Sequence, residues 1–146
     1  MTTALFAGTF DPFTRGHQAL VDRALAMFGR VVVAVGHNMD KQCMYSVDER
    51  VAAIESLYAG DDRVSVAVYG TLTMDFAREV GATVLLRGVR SVKDFEYERD
   101  IADVNMHLGG IDTVLLVSEP EYASVSSSVV RELIKYGKDV TPFLPK

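Results

Sequence analysis

Only one cysteine, four prolines and no tryptophan occur in the 146 residues. Cys43 has no intrachain partner, so the fold draws nothing from a disulfide, and such sparing cysteine use fits a reducing compartment. No apolar run approaches the ~18 residues that a membrane span needs. The opening Met1-Thr2-Thr3-Ala4-Leu5-Phe6-Ala7 has no basic region and too short an apolar stretch for a secretory signal, so a cytoplasmic location is expected, with no membrane partner. A basic excess is lacking as well: 15 Lys and Arg face 20 Asp and Glu, a net charge of −5. That balance argues against nucleic acid as a partner. It leaves room for a small phosphorylated ligand, for which a few placed cations suffice. There is no linker, repeat or charge block, and residues 1–146 read as a single domain large enough to bury a core. The phosphate loops G-x-x-x-x-G-K-[ST] and, after the first strand, G-x-G-x-x-G are absent. His37, His107 and Cys43 form no cluster with metal-ligand spacing and read as structural or surface residues, so no protein-ligated metal is expected.

What is present is alternation. Ala4–Ala7, Val31–Val35, Val64–Val68, Thr83–Leu86 and Val114–Val117 are short apolar or β-branched runs, as expected of strands covered on both faces. Between them lie segments of helical period. One runs from about Gly16 to Phe28, with Leu20, Val21, Ala24, Leu25 and Phe28 on one face and Gly29 placed to end it. Ser46-Val47-Asp48-Glu49 is a capping box opening a helix that buries Val51, Ile54 and Tyr58. Leu72–Val80 is closed by Gly81. Tyr97, Ile101, Val104 and Leu108 give a longer helix by their spacing, and Ser127 to about Tyr136 gives a last one before Gly137. The pattern predicts an α/β fold: a Rossmann-like, doubly wound, five-stranded parallel sheet with helices on both faces. Ligands of such sheets bind beyond the carboxyl ends of the strands, at a topological switch point.

Directly after the first strand comes Gly8-Thr9-Phe10-Asp11-Pro12-Phe13-Thr14-Arg15-Gly16-His17. Gly8 permits close backbone approach, Pro12 shapes the loop, and the following helix offers free N–H groups to an anion. His17, in the first helical turn, would stand beside that anion and could donate a hydrogen bond as charge develops on it. The motif in its strand–loop–helix setting resembles the T/H-x-G-H pattern of the nucleotidyltransferase superfamily.

The same loop, followed in order by Arg87-Gly88-Val89-Arg90, Asp94-Phe95-Glu96-Tyr97-Glu98 and Ser126-Ser127-Ser128, resembles the bacterial phosphopantetheine adenylyltransferases over essentially the whole chain. The resemblance implies transfer of the adenylyl group of ATP to 4′-phosphopantetheine, giving dephospho-coenzyme A and pyrophosphate, with Mg²⁺ as cofactor. It implies a homohexamer and feedback inhibition by coenzyme A. It places His17 as the catalytic residue. The ATP-binding set becomes Thr9, Phe10, His17, Gly88, Val89, Arg90, Glu98 and the run Tyr122, Ala123, Ser124, Val125, Ser126, Ser127, Ser128. The phosphopantetheine set becomes Thr9, Lys41, Thr73 and Arg87.

Each of these also has a plainer reading: a solvated lysine, arginines paired with Glu96 or Glu98, serines that cap a helix. A phosphate monoester is already anionic, so the implied reaction is a direct in-line attack on the α-phosphorus that needs positioning and charge stabilisation rather than a base. A nicotinamide mononucleotide adenylyltransferase or a cytidylyltransferase would share the first loop, and a nucleotide sensor without catalysis would be a different class of answer. The Arg87–Arg90 and Asp94–Glu98 segments favour the pantetheine reading, and an intact His17 disfavours the sensor.

Overall fold

The computed structural model describes all of residues 1–146. Five strands, β1 (Thr3–Gly8), β2 (Arg30–Gly36), β3 (Val64–Tyr69), β4 (Val84–Val89) and β5 (Asp112–Val117), alternate with α1 (Arg15–Ala24), α2 (Val47–Leu57), α3 (Thr73–Glu79) and α4 (Val92–Gly109), and α5 (Ser127–Lys135) ends the series. Short 3₁₀ turns lie at Pro120–Tyr122 and Thr141–Phe143. The sheet order is β3-β2-β1-β4-β5, with every pairing parallel. β1 is the central strand, and the order reverses between β1 and β4. That reversal is the switch point at which a ligand crevice opens.

Strand periodicity sorts the core into two layers. Ala4 and Phe6 of β1 join Val31, Val33 and Val35 of β2 under Leu20, Val21 and Ala24 of α1 and Ile54 of α2. Leu5 and Ala7, with Val32 and Ala34, pack on the opposite face with Ala77 of α3 and Ile111. Val31, Val33 and Val35 are fully buried, and each such side chain contributes about 1.5–3 kcal/mol of transfer free energy. The capping box at Ser46 is formed: its hydroxyl accepts from the Glu49 amide at 3.1 Å while Glu49 accepts from the Ser46 amide at 3.0 Å.

One expectation is corrected. Gly29 does not end the first helix. α1 stops at Ala24 with Leu25 in right-handed geometry, and a turn of main-chain bonds carries the chain onward. Gly29 instead lies against Met1, whose side chain a Cβ there would strike. Gly81, Gly110 and Gly137, by contrast, take φ of 75°, 64° and 72° after α3, α4 and α5, a conformation that glycine adopts without strain. The helix α4 forms as the spacing predicts, and most of its apolar stripe lies open: Tyr97 is 63% and Leu108 71% exposed, with Val104 at 50% and Ile101 at 36% between them.

Candidate active site

At the carboxyl ends of β1 and β4 a cleft of about 340 Å³ opens. Thr9, Phe10 and His17 reach it from the first loop and α1, and Lys41 from the segment after β2. Arg87, Gly88, Arg90 and Glu98 enter from β4, the turn after it and α4, Tyr122 and Val125 from the 3₁₀ turn and the loop before α5, and Ser126–Ser128 from the start of α5. An adjoining cavity of about 350 Å³ shares Thr9, Arg87 and Glu98 with it and adds Thr73, Asn105 and Thr113. Val89, Ala123 and Ser124 line neither. Sequence pattern thus gathers most of the expected residues at one place, from segments more than a hundred positions apart.

His17 is fixed on every side. The hydroxyl of Thr14 accepts from the His17 amide at 3.3 Å, and the Thr14 amide donates to His17 Nδ1 at 2.9 Å, a capping box with histidine as its third residue. Because Nδ1 accepts that bond, the proton of the neutral ring sits on Nε2. The rings of Phe10 and Phe13 stand 5.0 and 5.2 Å from the imidazole. Burial, then the positive charges of Arg87 and Arg90, lower its pKa from 6.5 to about 4. At neutral pH it is an uncharged donor through Nε2. Phe10 is held at φ 52°, a conformation uncommon outside glycine that concentrates at functional sites. Its ring is buried against Phe6, Phe13 and His17, so it can offer a nucleotide only its main chain.

Lys41 Nζ donates to Thr9 Oγ1 at 3.1 Å, which brings an ammonium and a hydroxyl to one point at the cleft edge. Arg87 and Glu98 pair bidentately: Nε to Oε2 at 2.8 Å and Nη2 to Oε1 at 2.7 Å, while Arg87 Nη1 donates to the Ala7 carbonyl at 2.8 Å. The Glu98 side chain is 8% exposed and that of Arg87 37%. Three of the five guanidinium N–H groups are engaged, and two remain for a ligand. Glu98 is therefore the carboxylate that orients Arg87, and the plainer ion-pair reading of that arginine holds beside any role on phosphate. Arg90 meets Asp94 at 3.4 Å.

The serine run is likewise committed. Ser126 caps α5 by accepting from the Val129 amide, Ser127 donates to the Pro12 carbonyl at 2.7 Å, and Ser128 accepts from Arg131. What this leaves for an anion is the set of main-chain N–H groups opening α5. Sequence reasoning did not single out Arg131, Asp11 or Arg50. Arg131 lines the cleft and donates to the Asp11 carbonyl at 2.7 Å. The Asp11 carboxylate accepts from the Met44 and Tyr45 amides at 2.8 and 2.9 Å. Asp11 lay within the first motif, and Arg131 stands three residues after the serine run, which was the one available signal.

Lys41, Arg87, Arg90 and Arg131 thus set four cations against the carboxylates of Asp11, Asp94 and Glu98, a local positive balance in a chain of net charge −5. A helix N-terminus, a neutral histidine donor and this set of cations around a crevice suit a nucleotide's phosphates. The sequence profile of the Cytidylyltransferase-like family matches residues 5–133. A phosphopantetheine adenylyltransferase of Phocaeicola vulgatus is 53% identical over all of this chain and 97% of its own length, and one of Porphyromonas gingivalis 51% identical over 98% and 94%. The chain belongs to the phosphopantetheine adenylyltransferase family.

A phosphopantetheine adenylyltransferase of Leuconostoc citreum, at 44% identity, also aligns over the full chain. The crystal structure of a bifunctional NMN adenylyltransferase/ADP ribose pyrophosphatase from Francisella tularensis, complexed with AMP and manganese, superposes with a TM-score of 0.72 at 14% identity. It covers 98% of this chain, which spans 44% of that protein, and it speaks to the shared α/β fold alone. No helix of this family member is long and apolar enough to cross a membrane.

Proposed function

We propose that the chain transfers the adenylyl group of ATP to 4′-phosphopantetheine, releasing pyrophosphate and forming dephospho-coenzyme A. The observation that carries the reading is the pairing of Thr9 with Lys41 on one side of the cleft and the His17 donor on the other, both at the β1 switch point. In this reading Thr9, Lys41 and the two free N–H groups of Arg87 seat the phosphopantetheine phosphate, and its arm lies in the adjoining cavity beside Thr73. One phosphate oxygen attacks the α-phosphorus in line, the bond to the β-phosphate oxygen breaks, and pyrophosphate leaves. His17 Nε2–H donates to the α-phosphoryl oxygen that gains charge, while Arg90 and the N–H groups opening α5 face the leaving group. No proton is removed from the nucleophile. Asp11, Asp94 and Glu98 are each engaged with protein partners, so Mg²⁺ would be held mainly by the substrate's phosphate oxygens and would offset their charge.

Supplying ATP and Mg²⁺ with either 4′-phosphopantetheine or nicotinamide mononucleotide tests this directly. Pyrophosphate release and a product of dephospho-coenzyme A mass are expected with the first alone. Turnover only with the mononucleotide, or binding without turnover, would overturn the reading.

Residues 1–146 act here as one nucleotidyltransferase domain in the cytoplasm. Coenzyme A, which carries the same phosphopantetheine arm, is read as a feedback inhibitor competing for that arm's cavity. A homohexamer is supported by the uncovered stripe of α4, since an apolar helix face left open in one chain is what self-association buries. Leu108→Glu, far along α4 from Glu98, is expected to lower the mass seen in sedimentation from six chains to fewer. An unchanged mass would remove α4 from the interface.

A further inference from the structure

Arg50 is 5% exposed and lies in the first turns of α2, outside the cleft. It belongs to no ion pair of the molecule. Its guanidinium spends its donors on three main-chain carbonyls: Nη1 on Thr9 at 2.7 Å and on Gly36 at 3.0 Å, and Nε on Tyr45 at 3.2 Å. Those three points are not arbitrary. Thr9 is the phosphate-loop residue. Gly36 ends β2, where the segment bearing Lys41 leaves the sheet, and Tyr45 is where that segment rejoins the fold before α2. One rigid fork therefore holds both feet of the Lys41 segment and the loop opposite it. A buried charge without a carboxylate partner is costly to keep, and a core requirement alone would be met by an apolar side chain.

We propose that Arg50 is a positioning residue for phosphoryl recognition, acting through Thr9 and Lys41 by fixing the gap that their 3.1 Å contact spans. The inference rests on the proposed seat of the phosphopantetheine phosphate at these two residues. The ATP side has other supports, because His17 is held by Thr14 and the aromatic rings and α5 by Ser127 and Arg131, none of them through a hydrogen bond to Arg50. Lysine cannot replace the fork, since a single ammonium does not span three separated carbonyls in one plane.

The test is a cycle of Arg50→Lys, Lys41→Ala and the double variant, with KM for each substrate, kcat and melting temperature measured in all four proteins. Arg50→Lys, which keeps the charge, is expected to lower kcat/KM for phosphopantetheine by roughly 10- to 100-fold while KM for ATP moves less than about threefold, the size of effect a misplaced contact produces. In the Lys41→Ala background the same substitution should add less than about threefold, because the Thr9–Lys41 contact whose gap it fixes is gone. Equal rises in both KM values, a full additional loss in the Lys41→Ala background, or unchanged kinetics would overturn the proposal. Failure of Arg50→Lys to fold would assign Arg50 to stability and overturn it as well. Lys41→Ala with an unchanged KM for phosphopantetheine would sink the phosphate seat itself, whereas a raised KM there beside a neutral Arg50→Lys would sink only the inference about Arg50.

Discussion

His17→Ala is expected to lower kcat at least ~10²-fold while changing KM for ATP and for phosphopantetheine much less, the pattern of a donor lost from the transition state alone. The geometry behind this is specific. Nδ1 is occupied by the Thr14 amide, so only Nε2–H faces outward, and His17→Gln is expected to recover part of the loss by presenting an amide donor. With a pKa of about 4, the imidazole of the unliganded protein is neutral throughout the physiological range, so His17 itself should add no inflection near 6.5 to the kcat profile, where the substrate's phosphate titrates. Stability has the complementary dependence. Between pH 6.5 and about 4 the unfolded chain protonates this histidine and the native one does not, so His17 stabilises the fold above that window and the contribution, on the order of 3 kcal/mol, is lost as pH falls through it. Single-turnover kinetics and urea melts across that range check both halves. A near-normal kcat in His17→Ala would remove the residue from its assigned role.

Arg87→Ala is the second large effect, and it should strike folding and binding together. Removing the guanidinium strands Glu98, whose carboxylate is nearly all buried, and breaking one side of such a pair costs about 3–5 kcal/mol. The same variant loses two unengaged N–H donors, and KM for phosphopantetheine should rise. Arg87→Met with Glu98→Leu separates the two consequences. Apolar replacement of the whole pair is expected to restore most of the melting temperature without restoring substrate affinity. If the double variant binds phosphopantetheine normally, Arg87 is a structural residue and its place in the recognition set is wrong.

The parts of this molecule legible in its sequence are those written in local code. Strand runs such as Val31–Val35, the Ser46–Glu49 capping box and glycines after α3 and α5 each act within a few residues, and each stands where pattern predicts. The Gly8–His17 loop was legible as a wall of the cleft because its residues are contiguous. Arg50 was not, because a lone arginine on a helix gives no sign that its partners will be the carbonyls of residues 9, 36 and 45. Asp11 and Arg131 escaped for the same reason, since their partners lie far off along the chain. Gly29 misled because a glycine after a helical run is usually a cap, whereas here it makes room for Met1. The stripe from Tyr97 to Leu108 was read correctly as a helix face, but period alone does not say whether its cover comes from the same chain or another.

The central place of β1 has a consequence for how the chain is made. β1 leaves the ribosome before the other four strands, yet one of its edges waits for β4, some eighty residues later. The bonds that finish the cleft come later still, Ser127 to Pro12 and Arg131 to Asp11 spanning 115 and 120 positions. A nascent chain that has emerged only as far as β3 therefore carries Ala4, Leu5 and Phe6 along an open, apolar strand edge, the kind of surface that nascent chains aggregate through. Ligand binding cannot rescue that stage, because the crevice does not yet exist.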